Sequence, residues 1–212
     1  MIEIKNLDIQ TNTLLIECMN ATFDKKQIHG ISAPNGSGKS TLFRTISGLR
    51  RERKGSIKIT GELPEKERKK QIFYFETSNW FHSSLSGMDY LRLYSSQWES
   101  DKRLINEAIH LWGMQKYINE CIKNYSLGMK QKLLLSLYYV SDASYWIMDE
   151  PTIALDKASV TILGNHLMEQ KNKGKCILFS AHESEDFYQI CDHRYTIDYG
   201  VFKVRRENSD DL

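Results

Sequence analysis

Ala33-Pro34-Asn35-Gly36-Ser37-Gly38-Lys39-Ser40-Thr41 follows an apolar run, Ile28-His29-Gly30-Ile31-Ser32. It opens a helical pattern, Thr41-Leu42-Phe43-Arg44-Thr45-Ile46-Ser47, that stops at Gly48. Strand, glycine-rich turn and helix, in that order, are the context that makes a Gly-x4-Gly-Lys-Ser/Thr spacing a phosphate site. Gly36 and Gly38 allow the backbone to curl so that successive N–H groups point inward at an anion. A helix starting near Lys39 adds its positive dipole end and its unpaired N–H groups. Lys39 then reaches the β- and γ-phosphates as a point charge, and Ser40 offers a hydroxyl to Mg²⁺. The first glycine of the spacing is replaced by Ala33.

The 212 residues suffice for one domain, or a core with a smaller subdomain, around a hydrophobic interior. With 41% hydrophobic and 26% charged residues the composition is that of a soluble globular protein. A net charge of +2 gives no electrostatic argument for nucleic acid. Met1-Ile2-Glu3-Ile4-Lys5 lacks the basic start and apolar run of an export signal, and no apolar stretch is long enough to span a membrane. Any work at a membrane is therefore expected from the side, through a partner. Cys18, Cys121, Cys176 and Cys191 have no metal-type spacing. Disulfides are possible on paper, but the phosphate loop argues for a reducing cytosol and for cysteines acting as small buried hydrophobes.

Alternation predicts a strand at Ile2–Leu7; Leu14–Met19 is a second candidate strand and Gln27–Ser32 a third, feeding the glycine loop. Short strands follow at Ser56–Ile59 and Gln71–Phe75. The charge runs at 50–54 and 65–70 read as solvated surface, with lipid-headgroup contact the weaker alternative. From Met88 to Val140 the pattern is helical. One helix is marked by Tyr90, Leu91, Leu93 and Tyr94, and a second by Leu104 to Leu111, started by Ser100 or Asp101. A third runs from Lys130 to Val140 with Leu133, Leu134, Leu137 and Tyr138 inward. Tyr145–Met148 and Cys176–Phe179 read as buried strands around a helix capped by Asp156 and fading at Lys173-Gly174. A helix over Glu183–Ile190 and small strands at Tyr195–Ile197 and Val201–Val204 complete an α/β pattern with a mostly parallel sheet.

In such sheets ligands bind at the carboxyl ends of the strands. Asp149 closes the apolar strand Tyr145–Met148, where it is placed to hold Mg²⁺ directly or through water. Glu150 beside it points elsewhere and can polarise a water in line with the γ-phosphate. His182, just past another buried strand, joins them as a third strand-end group. A lone Asp-Glu pair is usually a turn and a lone histidine usually structural; the glycine loop upstream is what shifts both readings toward chemistry.

Taken together these motifs resemble, over nearly the full length and in family order, the nucleotide-binding ATPase subunit of an ATP-binding cassette (ABC) transporter. Ala33–Thr41 resembles its phosphate loop and Trp146–Glu150 its magnesium strand with the catalytic glutamate. Tyr125-Ser126-Leu127-Gly128-Met129-Lys130-Gln131 resembles the LSGGQ signature in an exporter-type form, and this is the most discriminating match. Ala154-Leu155-Asp156 resembles the D-loop and His182 the switch histidine. The resemblance implies a P-loop ATPase fold in one domain, 1–212. Its core and antiparallel β subdomain cover about 1–85 and 141–212, and an inserted helical subdomain covers about 86–140. It implies ATP and Mg²⁺ as ligands. Asn35, Gly36, Ser37, Gly38, Lys39, Ser40 and Thr41 would bind ATP, and Ser40, Asp149 and Glu76 the metal, with Glu150 and His182 catalytic.

The resemblance further implies a head-to-tail dimer, homomeric or heteromeric, with Ser126 and Gly128 of one protomer capping the ATP of the other. A separate transmembrane permease, a cytoplasmic station at the inner face of the membrane, and export rather than import also follow from it, with no nucleic acid. Trp80 and Phe81 are expected either to line the permease groove or to be a packed aromatic pair. Three departures stand out besides Ala33. The family's glutamine after the aromatic strand is replaced by Glu76 or, one residue on, Thr77, with Glu76 favoured as a hard oxygen donor. The aromatic that stacks on adenine is missing from Asp8-Ile9-Gln10-Thr11-Asn12. Leu127 replaces one signature glycine. Ala33, Glu76 and the missing aromatic motivate a second reading, a degenerate-site partner in a heterodimeric ATPase pair, against which the retained Lys39, Glu150 and His182 argue.

Overall fold

The computed structural model describes residues 1–59, 70–181 and 186–205. Two sheets organise them. The first is antiparallel, with β1 (Ile2–Gln10) between β2 (Leu14–Phe23) and β4 (Ser56–Ile59). Both β1 and β2 outrun the stretches expected from the sequence. Register shifts along the pair, with Asn6 and Cys18 at left-handed φ of 49° and 48°, break the period of two midway. The second sheet has the order β5-β6-β7-β3-β8-β9. It comprises β3 (Gln27–Ser32), β5 (Ile72–Tyr74), β6 (Tyr145–Met148), β7 (Cys176–Ser180), β8 (His193–Asp198) and β9 (Val201–Val204). Every pairing is parallel except the β8–β9 hairpin, so the mostly parallel α/β sheet expected from the sequence is present.

The central strands read as unbroken apolar runs because both of their faces are covered. Tyr145 and Ile147 of β6, with Cys176 and Leu178 of β7, face a layer made of α1 (Lys39–Ile46) and the antiparallel sheet. Trp146 and Met148, with Ile177 and Phe179, face the opposite layer. That layer holds α2 (Gly87–Trp98), α3 (Arg103–Leu111), α4 (Leu127–Ser141) and α5 (Lys157–Asn172). A capping box at Ser86 and Asp89 starts α2, and Asp156 caps α5 by accepting the Ser159 N–H at 2.7 Å. Tyr138 of α4 is fully buried; its hydroxyl donates to the Ile147 carbonyl at 2.5 Å and accepts from the Phe75 N–H at 3.2 Å. The helix that begins at the signature is thus pegged to the strand ends that lead to Glu76 and Asp149.

Several expectations need correction. Neither Ser100 nor Asp101 is the N-cap of α3; Lys102 is, while Asp101 accepts the Arg103 N–H at 2.8 Å. The third helix starts at Leu127, three residues early, because Ser126 caps it through the Met129 N–H at 3.2 Å. Asp186–Ile190 is a 3₁₀ turn rather than α-helix, and 182–185 lie outside the described residues. Cys176 and Cys191 are buried as expected, but Cys18 is exposed and Cys121 half-buried; all four are free thiols. Trp80 and Phe81 part company: Phe81 packs on Phe75 and Tyr90 in the core, whereas Trp80 is 51% exposed.

Two interior histidines make stability depend on pH. Burial lowers His29 of β3 and His166 of α5 from 6.5 to about 4. Between those values the unfolded chain binds more protons than the folded one, so stability rises with pH through that window and is lost as pH falls. Moving from neutrality to about pH 5 is expected to lower the urea midpoint, with each histidine contributing roughly 1–2 kcal/mol. Denaturation monitored by circular dichroism at the two pH values checks this.

Candidate functional site

Strand order fixes what meets at one edge. In the run β5-β6-β7-β3 all strands are parallel, so their carboxyl ends lie side by side. The glycine loop leaves β3, Asp149-Glu150 leaves β6, Glu76 follows β5 closely, and β7 ends between the first two at Ser180. Gly36 and Gly38 sit at φ of 80° and 104°, as a loop curled around an anion requires. Ala33 is not among the left-handed residues, so its methyl costs the loop nothing. Lys39 is 8% exposed and its ammonium donates back to the carbonyls of Ala33 and Pro34, at 2.5 and 3.2 Å.

A chain of short hydrogen bonds links the loop to the acidic pair. Ser40 Oγ donates to Asp149 Oδ2 at 2.5 Å, Ser180 Oγ donates to Asp149 Oδ1 at 2.6 Å, and the Glu150 N–H donates to Ser180 Oγ at 2.8 Å. Ser180 was not singled out from the sequence. The signal for it lies in register: Met148 pairs with Phe179, so the residue after β6 and the last residue of β7 are neighbours. Glu150 itself is at φ 47°, a left-handed conformation that costs a non-glycine residue about 1 kcal/mol or more and that its neighbours must hold in place.

These groups border a cavity of about 430 Å³ lined by Asn35, Gly36, Gly38 to Thr41, Glu76, Asp149 and Glu150, among others. Ser37 Oγ of the loop and Tyr74 Oη of β5 are buried with no partner among the described residues. Ser40 and Asp149 supply two hard oxygens in contact. Among the described residues no cluster of three or more His, Cys, Asp or Glu is present. That donor set fits Mg²⁺, which takes one or two protein oxygens together with substrate phosphates. Glu76 lines the cavity but is bound to Arg44, a partner the sequence did not reveal. Where the adenine aromatic is missing, Thr11 and Thr13 close a turn and Leu15 of β2 lines the cavity instead.

Other sequence-marked residues stand apart. Ser126 is exposed at the N-cap of α4 and neither it nor Gly128 lines this cavity. A Cβ on Gly128 would lie 2.9 Å from the Ala154 carbonyl, so close packing on the 154–156 segment demands glycine there. Asp156 is a helix cap away from the cavity lining. His182 lies outside the described residues.

Residues 16–153 match the family model described as "ABC transporter". The chain is 31% identical over 179 residues to the cytochrome c biogenesis ATP-binding export protein CcmA of Reclinomonas americana, spanning 82% of this chain and 81% of that protein. It is 28% identical over 208 residues to the manganese transport system ATP-binding protein MntA of Synechocystis, spanning 91% and 79% respectively. Its fold is similar to a solved ATP-binding subunit of an ABC transporter, with a TM-score of 0.89 over 99% of this chain and 91% of that one at 24% identity.

Proposed function

Because this chain belongs to the ABC transporter family as an ATP-binding subunit, we propose that it binds MgATP in the cavity beside Lys39 and hydrolyses it to drive a separate membrane permease. The observation that carries this reading is the Ser40–Asp149–Ser180–Glu150 chain of hydrogen bonds. It aligns a loop hydroxyl, a metal-type carboxylate and an anchored glutamate along one cavity wall. Lys39 exchanges the carbonyls of Ala33 and Pro34 for the β- and γ-phosphates, and the loop N–H groups of Asn35 to Thr41 cradle them. Ser40 and Asp149 would hold the metal, which would supply neutralisation of phosphate charge. Glu150 accepts the proton of the attacking water. His182 is assigned to the γ-phosphate by its place after β7.

We also assign the cavity as half of a shared site. Ser126 and Leu127 are exposed and away from their own cavity, and Ile153 at its rim is 53% exposed. A second copy, or a close relative, packed head to tail would cover these and bring its Ser126 and Gly128 to the phosphate. The chain is read as one ATPase domain over 1–212, with the helices of about 86–140 as an insertion. Among the described residues no helix is long and apolar enough to cross a membrane. A peripheral cytoplasmic station on a permease is assigned from the family. Exposed Trp80 is assigned to that contact. Export is the direction adopted, from the signature's form and the export protein among the relatives.

Turnover per chain is expected to rise with protein concentration and then level off, since each site needs a second protomer. A constant rate per chain down to high dilution overturns the shared site. ATP binding without turnover at any concentration favours instead the degenerate partner of a heterodimer, for which the Glu76 substitution and the missing aromatic speak.

A further inference from the structure

Glu76 is not a free carboxylate. Arg44 Nε donates to Glu76 Oε2 at 2.7 Å and Arg44 Nη2 donates to Glu76 Oε1, a two-bond fork in which the glutamate side chain is 15% exposed and the arginine 45%. Arg44 is one helical turn beyond Ser40 on α1, so the metal-facing hydroxyl and the guanidinium share a helix face. Glu76 lines the cavity that Ser40 and Asp149 line. The hydrogen bond to Glu76, and then the charges of Glu76 and Asp149, raise the Arg44 pKa against its desolvation. Tyr74, two residues before Glu76, has its hydroxyl buried without a partner among the described residues. Burial first, and then the charges of Asp149 and Glu76, hold it un-ionised. Three carboxylates, Glu76, Asp149 and Glu150, therefore border one cavity, with Lys39 at the start of α1 and Arg44 beside Glu76 as the nearby cations. A third carboxylate left without its own cation would repel a polyphosphate.

We propose that Arg44 is an exchangeable internal cation. It neutralises Glu76 before nucleotide arrives and yields it to the divalent ion that accompanies the nucleotide, so that Arg44 sets how strongly ATP binding depends on Mg²⁺. This rests on the MgATP reading above. The exchange is physically reasonable because the Arg44 side chain is 45% exposed, so water can take up its guanidinium when it leaves Glu76. Mg²⁺ offers twice the charge at a shorter distance, about 2.1 Å. Arg44 acts through Glu76 and is in that sense a positioning residue. The swap also moves the anchor of the segment leading to exposed Trp80 from α1 to the metal.

The test is the ATP dissociation constant, measured by titration calorimetry with excess chelator and again with saturating Mg²⁺, for the unaltered chain, Arg44→Gln, Glu76→Gln and the double variant. The ratio of the two constants reports metal dependence alone. Arg44→Gln is expected to raise that ratio about five-fold, because uncovered Glu76 repels bare ATP and meets Mg²⁺ without a competitor. In the Glu76→Gln background the same change is expected to leave the ratio where Glu76→Gln put it, and Arg44→Lys is expected to recover part of the unaltered value. A ratio unmoved by Arg44→Gln, or moved equally with and without Glu76, overturns the exchange. A purely structural arginine would weaken both constants in parallel and leave the ratio alone. An unaltered chain that binds no ATP, or binds it equally with and without Mg²⁺, overturns the MgATP reading itself.

Discussion

Glu150→Gln protein is expected to bind ATP as tightly as the unaltered chain and to hydrolyse it about a hundred-fold or more slowly, the range that removal of a positioned general base produces. Glutamine keeps the shape of the side chain but cannot take a proton from water at neutral pH. What holds position 150 is its backbone: the N–H bond to Ser180 and the left-handed φ survive the change of one side-chain atom. The loss should therefore appear in turnover while affinity and melting temperature stay. Phosphate release and calorimetric ATP binding, run on the same preparation, separate the two. Turnover within a factor of two of the unaltered chain would remove Glu150 from the mechanism.

Lys39→Ala is expected to fail one step earlier, weakening ATP binding about a hundred-fold, as truncating one partner of a desolvated charge pair does. The folded protein loses little in exchange. Among the described residues Lys39 bonds to the neutral carbonyls of Ala33 and Pro34, and such bonds contribute about 1 kcal/mol each. Its aliphatic stem is buried beside Leu42 and Phe43 of the same helix region, so melting should fall by a few degrees at most. The pairing of near-native melting with lost affinity is the distinguishing result; equal affinity would place the phosphates elsewhere.

The core strands and the glycine loop were legible because each is a local code. Gln27–Ser32 and Ser56–Ile59 appear at the expected bounds, and Gly36 and Gly38 take the left-handed angles for which glycine is chosen. What escaped is what depends on partners distant in sequence. The bulges of β1 and β2 come from a pairing whose register shifts, which alternation cannot signal. Ser180 became visible only when β7 was seen to lie between β3 and β6. Arg44 and Glu76 are 32 residues apart and are brought together by the packing of α1 against the end of β5, so composition at either position said nothing of the pair. The candidate site was thus read at its motif residues and missed at the supports that hold them.

The claim that this chain builds half of a shared ATP site is tested most directly by the mass of the Glu150→Gln protein in sedimentation equilibrium with ATP and Mg²⁺. Binding without hydrolysis should trap the closed state. The account predicts particles of two chains with MgATP and single chains without it. Single chains throughout, at ATP concentrations that saturate the protein, would contradict a site completed by a second copy of this chain.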